Sequence, residues 1–325
     1  MKLAISLATK GRPQQLIDTI TKSVANWTNP ETVMWVMVDQ DDGATADTIV
    51  LRAASDDLRN KVKWDVRPRE DTIAEKWNRI VDLEPNADLY LVAADDDPYI
   101  THGYDQLLLD AAVRFPDGIG MVYGHMANAS FSGVVAPTRG FVQKLGGIFP
   151  TFFPYWFVDH WTDDLARLID RISFADVRTD QSKAGKTQEM REPGWWATWF
   201  DAAYLMRRKI AHDIINSDDF VTSHWRKQIT LSHHPLIEYR SRWVNDNVRA
   251  QNAQLSQWSG LSTADARYQR VKQRAIDMIP HLLDDYGMDP AEAAMFRKAL
   301  LPPPRPQGVL DSSAVELRPA LQRWA

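Results

Sequence analysis

Three adjacent carboxylates, Asp95, Asp96 and Asp97, directly follow the apolar run of residues 89–94. Neighbouring carboxylates at the end of a buried strand repel one another and are costly to desolvate, so a cation or a hydrogen-bonded ligand must compensate them. Hard oxygen donors favour Mg²⁺ or Mn²⁺, which commonly lie between one or two carboxylates and the phosphates of a substrate. The run therefore predicts a metal site for a nucleotide diphosphate, with a solvated acidic turn as the alternative.

A second acidic corner follows another apolar run. Asp39, Asp41 and Asp42 come directly after residues 33–38. In open α/β sheets, ligands bind outside the carboxyl ends of the strands, and both clusters would lie there if the two strands share a sheet. Asp-Asp-Gly is also an ordinary turn sequence. The presence of two acidic corners together favours a functional site.

Strands and helices must alternate along the first half of the chain to bring these corners together. Apolar runs predict strands over residues 3–8, 33–38, 62–66, 89–94 and 119–123. Helical spacing of apolar residues predicts a helix that begins at Pro13 and helices over residues 45–58, 72–81 and 107–115. This alternation predicts an α/β domain with a mostly parallel sheet flanked by helices.

Composition limits the number of domains and the classes of site. With 325 residues, of which 44% are hydrophobic, the chain can bury one large core with an appendage. A net charge of −5 argues against nucleic-acid binding through bulk charge, although a local basic patch stays open. The chain has no cysteine, which excludes disulfides, thiolate zinc sites and a cysteine nucleophile.

The beginning of the chain favours a cytoplasmic protein. Met1, Lys2 and Leu3 lead directly into a strand-like segment, without the longer apolar region of a signal peptide. Residues 141–161 form the most apolar window, but lysine, glycine and proline interrupt it, so we expect no membrane span.

The loop after the first strand excludes the common phosphate-binding motifs. Residues 8–13 contain one glycine, Gly11, where a dinucleotide fingerprint or a P-loop needs at least two at fixed spacing. What remains is a Thr-x-x-Arg-Pro loop, an aspartate after the second strand and an Asp-x-Asp (DXD) motif after the fourth.

In that order, these segments resemble the nucleotide-contacting motifs of family-2-like glycosyltransferases of the GT-A fold. The segments are residues 6–13, 38–42, 76–78 and 94–97, and the resemblance covers about the first 125 residues well. It implies a GT-A fold, which is Rossmann-like with a mostly parallel central sheet flanked by helices. It also implies transfer of a sugar from a nucleotide diphosphate sugar.

The resemblance assigns residues to the donor pocket. Thr9 and Arg12 would line the base pocket, and Asp39 would hydrogen-bond the base, which is usually uracil. Lys76 or Asn78 would lie near the donor.

The resemblance also implies a metal cofactor, Mn²⁺ or Mg²⁺. Asp95 and Asp97 would serve the ribose and the metal, and the triple run leaves open whether Asp96 replaces Asp95. Relatives often supply a late histidine to the metal, for which His233 and His224 are the candidates here. A hard Mg²⁺ ion nevertheless prefers oxygen ligands.

Inversion at the sugar carbon requires a base that takes the proton of the acceptor hydroxyl. In family-2-like enzymes this base is a carboxylate just downstream of an acceptor-facing loop, and residues 149–165 are the comparable place. Asp163 is the first candidate and Asp164 the second, in the first turn of a predicted helix. Acidic residues in a first turn also favour the helix dipole without any catalytic role.

Aromatic residues form two clusters in the second half of this chain with 13 tryptophans. The first comprises Phe152, Phe153, Tyr155, Trp156 and Trp161. Its rings could stack on a sugar or a nucleobase, or pack in the core. The second cluster, with Trp195, Trp196 and Trp199 at helical spacing, is more typical of packing.

We expect a catalytic domain over residues 1–240, with a donor half to about residue 125 and an acceptor half from residue 126. Residues 241–325 are predicted to form a helical extension with a proline-rich tail. Capping signals at residues 262–265 and 289–292 mark the starts of two helices there.

Three functions fit these residues. The first is a metal-dependent, inverting glycosyltransferase that uses a UDP-sugar and an acceptor glycan or small molecule. The second transfers the sugar to a hydroxylated base in DNA, which the arginines of the second half permit and the acidic total weakens. The third is a noncatalytic binding or assembly protein that retains the nucleotide fold.

Overall fold

Seven strands form the centre of the described structure. The structure is a computed structural model and describes residues 1–46, 61–125, 134–155, 157–180, 192–221 and 265–301. The strands in these ranges are β1 (Leu3–Ala8), β2 (Val33–Asp39), β3 (Val62–Arg67), β4 (Leu89–Ala94), β5 (Met121–Tyr123), β6 (Val135–Pro137) and β7 (Ile172–Phe174). Every residue of β1 is buried, as expected of a parallel strand covered on both faces.

The strands form two adjoining sheets. Strands β1 to β4 are parallel, in the order β3-β2-β1-β4. The other three follow the order β6-β5-β7, with β6 antiparallel and β7 parallel to β5. An antiparallel bridge between Leu89 and Thr138 joins β4 to the residue after β6. Strands β4, β5 and β7 therefore run in one direction, and the predicted mostly parallel α/β architecture is confirmed.

Helices cover the sheets. They are α1 (Pro13–Asn26), α2 (Gly43–Ala46), α3 (Ile73–Leu83), α4 (Tyr104–Ala112), α5 (Arg139–Leu145), α6 (Val158–Leu168), α7 (Pro193–Ala202), α8 (Tyr204–Ile215), α9 (Ala266–Asp284) and α10 (Pro290–Leu300). Pro13 opens α1 as predicted, and Thr72 begins α3 through a capping box with Glu75. Most of the helix predicted over residues 45–58 lies outside the described residues. None of the described helices has the length and apolar character to cross a membrane.

Helix α6 begins earlier than predicted. It starts at Val158, because Phe157 adopts a left-handed conformation with a φ of 73° and turns the chain there. The backbone N–H of Trp161 then donates to Phe157 O at 2.9 Å. Asp163 and Asp164 consequently lie in the second turn, so the prediction of a first-turn position was wrong. The helix dipole, whose effect falls off within the first turn, does not explain this acidic pair.

Two hydrophobic clusters pack on opposite faces of the sheets. Val33 and Met37 of β2 belong to one cluster, and Met34 and Val36 belong to the other, as the alternation of a strand requires. The first cluster also contains the buried residues of α9 and α10. These C-terminal helices therefore share a core with the sheets.

The described aromatic residues of both clusters are largely core residues. Phe153 and Trp161 have no exposed surface, and Phe152 is 8% exposed. These three rings therefore pack in the core, and the alternative that they form a platform for a sugar or nucleobase was wrong. Trp196 and Trp199 are also fully buried, which confirms the prediction for the second cluster. Trp156 lies outside the described residues.

Glu84 links the end of α3 to the amino-terminal strands. Its carboxylate accepts hydrogen bonds from Lys2 Nζ at 2.5 Å, Trp35 Nε1 at 2.8 Å and Lys63 Nζ at 2.9 Å. Burial acts to raise the pKa of Glu84, but these donors outweigh it and lower the pKa to about 2. The ionised carboxylate therefore contributes to stability.

Replacing Glu84 should make the protein less sensitive to acid. The folded-state pKa of about 2 lies below the ordinary value of 4.5, so the unfolded chain takes up the proton first as pH falls. The stability from Glu84 is therefore present above pH 4.5 and is lost as pH falls towards about 2. Urea unfolding should show that Glu84→Gln is less stable than the wild type near neutral pH and loses less stability from about pH 5 to about pH 3. An equally steep loss in both proteins would contradict this assignment.

Candidate functional site

Asp95 is fully buried just beyond the carboxyl end of β4. Thr9, which follows β1, donates its hydroxyl to Asp95 Oδ2 at 2.7 Å, and Arg12 forms an ion pair with Asp95 Oδ1. Burial raises the pKa of the Asp95 carboxyl, against the Thr9 hydroxyl and the Arg12 charge, which lower it. Asp95 thus contacts both Thr9 and Arg12, and all three are predicted donor-site residues.

Asp96 and Asp97 form the half-buried part of the acidic run. Arg12 Nη1 lies 2.7 Å from Asp96 Oδ2, so one guanidinium bridges Asp95 and Asp96. Burial lowers the pKa of Arg12, but the two carboxylates raise it more.

Within the described ranges, no group of three or more His, Asp or Glu side chains is arranged to hold a metal ion. A metal at this run would need oxygens from substrate or water as well.

Asp39 is buried at the carboxyl end of β2 and faces two cations. Lys76 Nζ lies 2.5 Å from Asp39 Oδ1, and Arg69 Nε lies 3.5 Å from Asp39 Oδ2. The Lys76 ammonium also donates to Thr9 O at 3.4 Å. Three predicted donor residues, Thr9, Asp39 and Lys76, therefore meet across β1 and β2.

The start of α3 places the cations opposite Asp39. The capping box fixes the first turn at Thr72, and Lys76 follows one turn later. Arg69 lies in the preceding loop, which Asp71 ties to α9 through an ion pair of 2.5 Å with Arg270. The C-terminal helices thus hold the loop that carries Arg69, a residue that sequence reasoning missed because it lies outside the matched motifs.

Asp42 connects the second acidic corner to the loop after β1. Its carboxylate accepts hydrogen bonds from the backbone N–H of Gly11 at 2.7 Å and of Thr45 at 3.2 Å. Burial raises the pKa of Asp42, but Thr45 and Gly11 outweigh it and leave the pKa below its ordinary value. Gly11 has a φ of +67°, a conformation that favours glycine. Asp42 therefore fixes the loop that presents Arg12.

Asn78 contacts the loop that follows α5. Its amide oxygen accepts hydrogen bonds from the backbone N–H of Ile148 and of Phe149, both at 3.0 Å, and its Nδ2 donates to Phe149 O at 2.8 Å. Thr162 of α6 donates to Ile148 O at 2.7 Å. The same loop thus joins α3 to α6, and the position of Asn78 near the donor stays a prediction.

The two candidate bases point to different partners, as adjacent helix residues about 100° apart must. Asp163 accepts from Arg167 Nε at 2.8 Å and Nη2 at 3.2 Å, an ion pair one turn along α6. Asp164 accepts from Arg207 Nε at 2.7 Å. Both carboxylates and Arg207 are buried, and the Arg207 guanidinium lies 3.8 Å from the centre of the Phe200 ring.

The predicted histidine ligands His224 and His233 lie outside the described residues. His160 is buried, and its Nδ1 lies 2.8 Å from Asp159 Oδ1 in the first turn of α6.

No protein-family model matches the chain. No curated protein matches it in sequence either.

Solved structures similar to this chain include S. aureus TarS, at 12% identity and a TM-score of 0.48, over 92% of this chain and 52% of that one. TarS 1-349 in complex with UDP is similar at 14% identity and a TM-score of 0.49. That match covers 91% of this chain and 83% of the TarS 1-349 chain. The mannosyltransferase PcManGT from Pyrobaculum calidifontis, in complex with GDP-Man and Mn²⁺, is also similar. Its sequence identity is 12% and its TM-score is 0.43, and the match covers 87% of each chain. This chain spans about half the length of the longer TarS structure. These TM-scores, all below 0.5, describe a distant likeness of fold.

Replacing Asp164 should lower the free energy of unfolding more than replacing Asp163. Asp164→Ala removes the carboxylate that faces the buried Arg207 guanidinium, which should lower the free energy of unfolding by about 3 to 5 kcal/mol. Asp163→Ala should cost about 0.3 to 1 kcal/mol, because the Arg167 side chain is 28% exposed and can turn to water. Urea unfolding of the two variants measures the difference. Equal losses would show that the two ion pairs are equivalent.

Proposed function

We propose that this chain is a glycosyltransferase that passes a sugar from a nucleoside diphosphate sugar, by resemblance a UDP-sugar, to an acceptor hydroxyl. The observation that carries the proposal is the pair of buried carboxylates, Asp39 and Asp95, at one edge of a parallel sheet, with Thr9 between them. Ligands of open α/β sheets bind at this edge. Buried charges are costly to keep, and the raised pKa of the Asp95 carboxyl in such a place favours a functional site.

Asp39 would select the base. Its carboxylate can accept the ring N–H that uracil carries and cytosine lacks at the same position. Lys76 and Arg69 hold the carboxylate from two sides, at 2.5 Å and 3.5 Å. A base bound there would be read by a fixed acceptor, with Thr9 and Arg12 on the neighbouring loop.

The diphosphate would meet Arg12 and the acidic run. The Arg12 side chain is 40% exposed, and a guanidinium fork can bind phosphate oxygens in a bidentate manner. Asp97, with Asp95 or Asp96, would hold Mn²⁺ or Mg²⁺, since their hard oxygens suit either ion. When bound, the ion neutralises charge that develops on the leaving diphosphate.

Asp163 would act as the general base of an inverting displacement. The acceptor oxygen attacks the sugar carbon and loses its proton to Asp163 while the bond from that carbon to the diphosphate breaks. Arg167 bonds both carboxylate oxygens and holds the Asp163 carboxylate in place, and each oxygen keeps a second lone pair that can accept the proton. Asp164, the second candidate, is engaged by Arg207 in the core.

The described residues offer little to a DNA acceptor. That alternative depended on six arginines of the second half, of which Arg207 is fully buried and Arg208 is half-buried. Arg226, Arg240, Arg242 and Arg249 lie outside the described residues.

Asp39→Ala should remove a preference for uridine nucleotides. In thermal-shift titrations, UDP should stabilise the wild type more than CDP or ADP, because one buried hydrogen bond to a charged group contributes about 1.5 to 3 kcal/mol. The variant should bind all three nucleotides weakly and equally. The matched control is Asp41→Ala, which removes an exposed carboxylate from the same corner and should keep the preference. Equal stabilisation of the wild type by all three nucleotides would refute the assignment.

Asp97→Ala should separate metal binding from nucleotide binding. In the wild type, Mn²⁺ should increase the thermal stabilisation given by UDP, because metal and diphosphate bind together. The variant should fold normally and lose this Mn²⁺ dependence. Asp88→Ala, at the opposite end of β4, serves as a control with an unchanged response. A folded Asp97→Ala protein with the wild-type response would exclude Asp97 as a ligand.

Asp163→Asn should impair transfer but spare the donor. A general base contributes about 10² to 10⁴-fold to the rate, so radiolabelled sugar transfer should fall by that order while UDP binding changes little. Asp159→Asn, in the same helix, is the matched comparison. If transfer fell in Asp159→Asn and not in Asp163→Asn, the base would be assigned to the Asp159 and His160 pair.

A further inference from the structure

A mixed aromatic and polar surface lies at the carboxyl ends of β5 and β7. Residues 173–178 alternate strictly between buried and exposed, which places Phe174, Asp176 and Arg178 on one face. Tyr123 ends the neighbouring strand β5 and is half-buried between buried residues, and His125, two residues further on, is also half-buried. We call these five residues the β5–β7 face. Phe174 is 41% exposed and forms the most accessible apolar part of this face.

Contacts within the β5–β7 face hold the exposed ring in place. The Phe174 ring centre lies 5.2 Å from that of Tyr123 and 5.0 Å from that of His125, with both contacts edge to face. His125 Nε2 lies 2.6 Å from Asp176 Oδ1, and Arg178 Nε lies 3.8 Å from the same oxygen. A held ring beside fixed polar groups loses little entropy when a ligand binds.

The face lies at the same edge of the fold as the acidic run. Strands β5 and β7 run parallel to β4, so the three carboxyl ends point in one direction. The backbone N–H of Ile100 donates to Arg178 O at 3.1 Å, and that of Asp180 donates to Pro98 O at 2.9 Å. With strands about 4.8 Å apart, β5 and β7 lie roughly 10 and 15 Å across the sheet from β4.

Helix α6 connects this face to the proposed base. The Arg167 guanidinium lies 5.7 Å from the centre of the Tyr123 ring. The same guanidinium bonds the carboxylate of Asp163. A ligand on Tyr123 and Phe174 would therefore lie close to a side chain that holds Asp163 in place.

The charges of this region are balanced. Arg167 is paired with Asp163, and His125 and Arg178 both approach Asp176. A nucleic-acid backbone is bound through an excess of Lys and Arg, which this face does not provide. A neutral sugar fits better, because its apolar C–H face can lie on an aromatic ring while its hydroxyls bond to carboxylate and guanidinium groups.

We infer that the β5–β7 face binds the acceptor as a neutral saccharide, with Phe174 as the stacking ring and Asp176 and Arg178 as hydroxyl partners. Its role as an acceptor site rests on the proposed function. Binding of the saccharide itself does not, so the two can fail separately.

The test uses saturation-transfer NMR with the methyl glycosides of glucose, galactose, mannose and N-acetylglucosamine, each with the full chain, with and without UDP and Mn²⁺. At least one glycoside should receive saturation from the wild type. Phe174→Ala should weaken that signal by about fivefold or more. Leu107→Ala is the matched control, because Leu107 is 38% exposed and lies on α4, and it should leave the signal unchanged.

Circular dichroism and UDP thermal shifts establish that each variant is folded. Absence of saturation for all four glycosides in the wild type would overturn the inference, as would an equal signal in Phe174→Ala. Binding of a single-stranded oligonucleotide that is lost in Phe174→Ala and weakened by salt would assign the face to nucleic acid instead, and would also overturn it. Failure of UDP to stabilise the wild type would refute the nucleotide proposal and leave the glycoside result to stand by itself.

Discussion

The burial of Asp95 is the constraint on which the carboxyl edge of the sheet depends. A carboxylate without exposed surface must be compensated by its neighbours, and here the Thr9 hydroxyl and the Arg12 guanidinium do so. Thr19 of α1 also donates to Asp95 O at 2.8 Å. These contacts require β1 beside β4 and fix the loop that carries Thr9 and Arg12. The same compensation leaves a partly exposed guanidinium at the rim, where an anionic ligand can reach it.

A second chain of contacts leads from this edge to the other half of the molecule. Asp39 binds Lys76 of α3, and two residues further along the helix Asn78 holds the loop of residues 147–149. Thr162 of α6 binds the same loop through Ile148 O. The candidate donor pocket and the helix with Asp163 are therefore connected through helix α3 and the hydrogen bonds that it makes. A substitution at Asn78 can therefore affect the positions of both parts.

Features that depend on neighbours in sequence were predictable, and features that depend on distant partners were not. The strands and their acidic ends could be predicted because each apolar run is followed directly by aspartate. The start of α6 could not, since it depends on the left-handed conformation of Phe157, which is rare for a non-glycine residue. The core role of Phe152 and Phe153 was equally hidden, because nearby prolines break any helical pattern. Asn78 contacts backbone about 70 residues away, and no local pattern indicates that.

A crystal structure of the chain with UDP and Mn²⁺ would test the central claim most directly, which is that the edge between Asp39 and Asp95 binds a nucleoside diphosphate. We expect the uracil ring N–H to donate to the Asp39 carboxylate and the anomalous signal of manganese to lie beside Asp97 and the diphosphate. We also expect Arg12 to contact phosphate oxygens. A nucleotide bound elsewhere, with the contacts of Asp39 and Asp95 unchanged, would contradict the claim.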